Sequence, residues 1–267
     1  MKSSGSDCVQ SAFDQFRKEI DDENDRRERL IKASRDITNL SKKVIFLLHR
    51  IMTDDAHDAL EQSKLASQRG LEKLREVRAI YASMKVDVQD DLFWRHQRSI
   101  SPGLQEYIEA LSFAHYLGHG TLVTYSHVQR TLSDNNGVLY FPLPIEDYLL
   151  GLSDLTGELM RLVISGIARK GGRVRARQVC AFVRQCKADF ERFTPFVKGL
   201  RKKQTVTGQS LEKIEDAVYA IVIRSSEYDL PPEILDDIIS QFVSNFTARS
   251  TGSRRHVCSD DEREDDF

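Results

Sequence analysis

Two pairs of carboxylates stand at helical spacing in the middle of this chain: Glu106 with Glu109, and Asp154 with Glu158. Residues three or four apart meet on one face of an α-helix, so each pair sets two like charges side by side. A cation between them would relieve the repulsion. An oxygen-only donor set suits a hard divalent ion, Mg²⁺ with Mn²⁺ as a substitute. Such a site activates water and neutralises a phosphoryl oxygen during in-line displacement.

The surroundings sharpen the question. On the helix expected from Pro144, Ile145, Tyr148, Leu149, Leu152, Leu155, Leu159, Leu162 and Val163 cover most of the circumference. The polar stripe that remains holds Asp147, Asp154, Glu158, Arg161 and Ser165. On the helix expected after Pro102, Phe113 and Leu117 share the face of Glu106 and Glu109. An ionised carboxylate withdrawn from water must pair, bind metal or shift its pKa. Spacing alone leaves a second reading open, in which Glu106 and Glu109 face solvent and Asp154 or Glu158 pairs with Arg161 or a distant lysine. Asp147 lies near a helix N-terminus, where the helix dipole stabilises a carboxylate, and is read as structural.

The elements that must carry these residues are helices. Of 267 residues, 14 are Gly and 6 Pro. Apolar residues recur at helical spacing over 9–52 and 56–83. Leu92-Phe-Trp94 belongs to another helix. Ser101-Pro102 reads as an N-cap with Pro at the first helical position, opening a helix to about Leu117, where Gly118-His-Gly120 breaks it. Asp134-Asn-Asn-Gly137 is a turn and 138–141 a short extended stretch. Further helices are expected at 144–168, 175–192, 194–203, 208–225 and 232–247. The expected fold is all-α, one domain over 9–247 built as a bundle of about seven helices. A flexible segment precedes it at 1–8, and a disordered acidic tail follows at 248–267.

Charge is unevenly spread. The formal net charge is −2. From Arg161 to Lys203, however, thirteen cations meet only two carboxylates, Asp189 and Glu191. Arg173, Arg175, Arg177, Lys202 and Lys203 are candidate contacts for a polyanion; a solvated face balancing acidic segments elsewhere is the alternative. Four scattered cysteines match no metal spacing and read as reduced thiols of an intracellular protein. No apolar run is long enough to span a membrane. No phosphate-binding glycine loop or Ser-His-Asp pattern is present. His49 reads as a packed histidine, and His119 and His127 have no evident partner. Phe93 and Trp94 read as core or interface, with base stacking as the alternative.

The motifs resemble the translin superfamily, and within it the branch of X-type subunits. They are Leu30-Ile-Lys-Ala-Ser-Arg-Asp-Ile-Thr38, Gly103-Leu-Gln-Glu-Tyr-Ile-Glu-Ala110, Asp147-Tyr-Leu-Leu-Gly151 with Asp154-Leu-Thr-Gly-Glu-Leu-Met-Arg161, and Leu211-Glu-Lys-Ile-Glu-Asp-Ala-Val-Tyr219. The resemblance covers roughly residues 10–245. It implies a catalytic subunit that works with a translin-like partner in a hetero-octameric, metal-dependent endoribonuclease for single-stranded RNA, acting on passenger-strand or tRNA fragments. Single-stranded DNA binding also belongs to the family. By the same resemblance Glu106, Glu109, Asp154 and Glu158 form the active site, with Glu109 and Glu158 as metal ligands. A non-catalytic nucleic-acid-binding or scaffold subunit is the alternative. Lys2 and Arg17-Lys18 are the only basic residues before residue 20, short of the family's nuclear-localisation run, so a cytoplasmic location is expected, with nuclear entry left open.

Overall fold

The structure is a computed structural model and describes residues 4–54, 58–169 and 171–227. Among these are seven α-helices and no strand: α1 (Ser4–Met52), α2 (Ala59–Met84), α3 (Leu92–His119), α4 (Tyr125–Thr131), α5 (Ile145–Gly166), α6 (Gly172–Glu191) and α7 (Leu200–Glu227). A single 3₁₀ turn, Lys85–Val88, follows α2. No described helix is long and apolar enough to cross a membrane. The helix expected at 232–247 and the acidic tail from 248 lie outside the described residues.

The chain divides into two compact units. The first holds residues up to Leu155 with Val197–Leu200; the second holds Thr156–Phe196 and Arg201 onward. In the first, α1, α2 and α3 pack on one another. Leu30, Ile37, Val44 and Leu48 of α1, Leu74, Val77 and Tyr81 of α2, and Ile100, Leu104 and Ile108 of α3 are all fully buried there. An aromatic cluster closes one part of this core. Tyr81 packs edge-on to Tyr107 and Phe141, and Phe93 stacks on Phe141 at 4.8 Å. Burial raises the Tyr81 and Tyr107 phenols, the latter to about 12 despite its bond to Thr131. In the second unit Leu159, Leu162 and Val163 of α5, Val179 and Val183 of α6 and Ile214 of α7 are buried. There the Thr156 and Thr207 hydroxyls lie 3.1 Å apart.

Four expectations change. α3 does not start at Ser101-Pro102 but runs through Pro102. Ser101 caps nothing; its one hydroxyl hydrogen is shared between the Gln97 carbonyl, 3.0 Å away, and the Asp147 carboxylate, 2.9 Å away. Residues 138–141 form no strand, only one isolated bridge, Ser133 to Leu139. This bridge closes the Asp134 turn, whose side chain accepts from Asn136 and Val138 amides. Residues 194–199 are turns rather than helix. Pro195 offers no amide hydrogen there and Gly199 sits at φ +85°. From Leu200 one helix then continues through Gly208. Gly208 costs about 1 kcal/mol there, and burial of Thr207, Leu211 and Ile214 outweighs it. The short α4 carries no strong period and was not anticipated; the Thr124 side chain caps it by accepting from the His127 amide.

Candidate active site

The carboxylates on α3 are positioned by how α1 and α5 approach it. At Pro102 the chain lacks an amide donor, and the Ser34 hydroxyl of α1 enters at that turn. It accepts from the Gly103 amide at 3.1 Å and donates to the Ile100 carbonyl at 3.4 Å. The helices come so close that a Cβ on Gly103 would stand 2.7 Å from the Ser34 carbonyl oxygen. Glu106 and Glu109 follow within two turns, both half-buried.

Asp147 joins α5 to α3. It is 3% exposed and accepts from the Ser101 hydroxyl at 2.9 Å and the Gln105 amide at 2.8 Å. Its carboxylate is therefore spent on structure, as expected, although side-chain donors hold it in addition to any dipole. One turn on, a Cβ on Gly151 would meet the Gln105 carbonyl and Ile108 at 2.8 Å. This parallel run of contacts, Asp147 to Gln105 and Gly151 to Ile108, brings the Asp154 turn alongside the Glu109 turn. Asp154 is half-buried, as is Glu158 one turn further along α5, in the second unit.

Lys42 Nζ lies 3.2 Å from Glu106, and Arg161 lies 3.3 Å from Glu158, whose side chain is 13% exposed. Lys42 and Arg161 are themselves well exposed. Such pairs contribute at most about 1 kcal/mol, so a divalent ion can displace them. Among the described residues no three His, Cys, Asp or Glu side chains converge closely enough to hold a metal ion. The donor chemistry still fits Mg²⁺, which keeps several waters and needs only one or two protein carboxylates.

The basic candidates lie in the second unit. Arg173, Arg175 and Arg177 are on α6, and Lys202 and Lys203 on α7. Arg177 and Lys202 are exposed; the other three are half-buried. Two residues of helix turn the chain by about 200°, so Arg175 faces away from Arg173 and Arg177. Part of the basic block is neutralised, since Arg184 pairs with Glu215 at 2.6 Å and Lys187 with Glu191.

Other groups become clear only in three dimensions. His119 and His127 do have partners: His115 stacks on His119 at 4.3 Å and lies 5.8 Å from His127. Desolvation lowers the pKa of His115 and His127, with His119 and His127 adding to it for the first and Arg130 and Arg78 for the second. His49 packs on Phe113 at 4.8 Å. Phe93 is core, whereas Trp94 is 54% exposed. Cys180 and Cys186 are buried free thiols, and burial pushes Cys186 up to about 12. Arg27, Arg35 and Arg98 line a groove between α1 and α3 that helical periodicity does not reveal.

Comparison with known proteins gives the family and the fold. The chain is 35% identical over 260 residues to Translin-associated protein X of Rattus norvegicus, covering 89% of this chain and 86% of the relative. Its fold is similar to the crystal structure of apo-NeC3PO, with TM-score 0.59 over 76% of this chain and 94% of that one at 18% identity. AfC3PO in complex with duplex RNA gives 0.55 over 77% and 93% at 19% identity. Residues 25–225, which include all four candidate carboxylates, match the model of the Translin family. The chain belongs to the translin family.

Proposed function

We propose that this chain is the catalytic subunit of a translin-type complex that cleaves single-stranded RNA with Mg²⁺. The observation that carries this reading is the half-buried acidic set on α3 and α5, with each pair in helical register. Glu109 and Glu158 are the first choices to hold the cation. The assignment of Glu158 rests on the family resemblance and on its place one turn beyond Asp154. Bound there, Mg²⁺ would supply Lewis-acid charge at the scissile phosphate and an activated water.

The chain's own residues do the rest. Glu106 and Asp154 complete the acidic set and orient the attacking water by accepting its hydrogens. Lys42 and Arg161 balance charge while the cation is away. Asp147, held by Ser101 and Gln105, fixes α5 against α3 so that the carboxylates keep their register. Arg173, Arg175, Arg177, Lys202 and Lys203 remain candidate phosphate contacts, and a translin-like subunit the expected partner. AfC3PO, which is similar in fold, was solved with duplex RNA, and this supports nucleic-acid binding by this chain.

Cleavage of labelled single-stranded and duplex RNA by the co-purified complex tests the reading. Cutting of the single strand with Mg²⁺ and none with EDTA is expected. Equal RNA binding without any cutting would favour a non-catalytic subunit.

A further inference from the structure

An open groove of about 670 Å³ runs between α1 and α3 in the first unit, bordered by Arg27, Arg35 and Arg98. Ser34, Thr38, Asn39 and Ser99 also line it, and no carboxylate does. All three arginines are exposed, and none forms an ion pair with a described residue. Other arginines of the same helix behave differently. Arg29 pairs with Asp87 at 2.7 Å, and Arg26 with Glu23 at 3.3 Å. Those two cations are neutralised away from the groove, whereas its three arginines keep their charge unpaired among the described residues.

The groove has a direction. One turn beyond Thr38 on α1 stands Lys42, one turn beyond Pro102 on α3 stands Glu106, and these two side chains meet. At the other end Trp94, one turn before Arg98 on α3, presents its ring to solvent. Arg27 and Arg35 are eight residues apart, about 12 Å along the helix. Guanidiniums bind phosphate oxygens through paired N–H donors, and an exposed indole gives an unpaired base a stacking surface.

We propose that this groove holds the backbone of a single-stranded nucleic acid, with Arg27, Arg35 and Arg98 on its phosphates and Trp94 under a base, and leads the strand to Glu106. The proposal rests on the nuclease reading for what happens at Glu106; the binding is independent of it. A duplex leaves no unpaired base for Trp94, so the groove prefers single strands.

Trp94 is the one tryptophan of the sequence. The test titrates the co-purified complex with labelled oligouridylate in EDTA, reading tryptophan fluorescence and label anisotropy over a range of salt. Wild type should show quenching that Trp94→Phe removes. The triple variant R27Q/R35Q/R98Q should bind at least about tenfold more weakly, with a salt slope lower by about 2, since each phosphate contact on a single strand contributes about 0.7. An unchanged melting curve checks its fold, and the Trp94→Phe result stands if the triple variant does not fold. Unchanged affinity and slope would overturn the proposal; if assembly in sedimentation failed instead, the groove would belong to an acidic protein segment. A wild type that quenches and binds through the groove but never cuts with Mg²⁺ sinks the nuclease reading and leaves the groove. A triple variant that cuts and binds like wild type does the reverse.

Discussion

The Ser34 hydroxyl accepts from the Gly103 amide at 3.1 Å, one residue after the proline that interrupts the donors of α3. This bond explains how α3 continues through Pro102 and why α1 and α3 touch. Gly103→Ala would force a Cβ to within 2.7 Å of the Ser34 carbonyl oxygen. Overpacking of this kind costs about 1–3 kcal/mol. Ser34→Ala leaves a buried amide unpaired at about 1–3 kcal/mol. Urea unfolding of both variants checks this, and neither should match wild type.

Asp147→Ala is expected to cost about 1–3 kcal/mol, because it removes the acceptor of the Gln105 amide and one of the two acceptors of Ser101. Asp154→Ala should abolish cutting with a smaller loss of stability. Thermal melts and cleavage rates, measured together on both, separate the structural carboxylate from the chemical ones.

Acid should weaken the fold in the neutral range. His115 and His127 have lowered pKa values, chiefly through desolvation and then through His119 for the first and Arg130 for the second, with Arg78 of α2 also facing His127. Their stabilisation is complete above the unfolded value of about 6.5 and is lost as pH falls from there to the folded values. Asp134, held low first by the Val138 amide, adds a second loss only below the ordinary carboxylate range. Urea midpoints across pH should fall below about 6.5, and the double variant His115→Gln/His127→Gln should flatten that slope.

The N-terminal turns of α1 expose Val9, Phe13, Phe16 and Ile20 on one stripe, each at least 55% accessible. Water-exposed apolar stripes drive association. The chain alone should sediment as aggregates or oligomers, and Phe13→Ser/Phe16→Ser should shift it to smaller species. A monodisperse wild-type monomer would contradict this.

Much of the scaffold was legible. The apolar periods of α1, α2 and α5 are long and strong, so their spans were found to within a few residues. Ser101-Pro102 also opens helices in general, and only Ser34, 69 residues before Gly103 in sequence, supplies the bond that lets this helix continue. The 194–203 segment is apolar enough for a helix, but Pro195 and Gly199 break it. The pairing of Glu106 with Glu109 and of Asp154 with Glu158 needed only helical register. The arginine groove needed α1 and α3 to meet, which no single-helix pattern encodes.

The proposed chemistry is carried by the acidic set. It is tested most directly by RNA cleavage with the co-purified complex carrying Glu109→Gln or Glu158→Gln, each of which removes a charge and keeps the shape. Wild type should cut with Mg²⁺, and both variants should bind the same RNA with wild-type affinity and leave it intact. Cutting by either variant at the wild-type rate would contradict it.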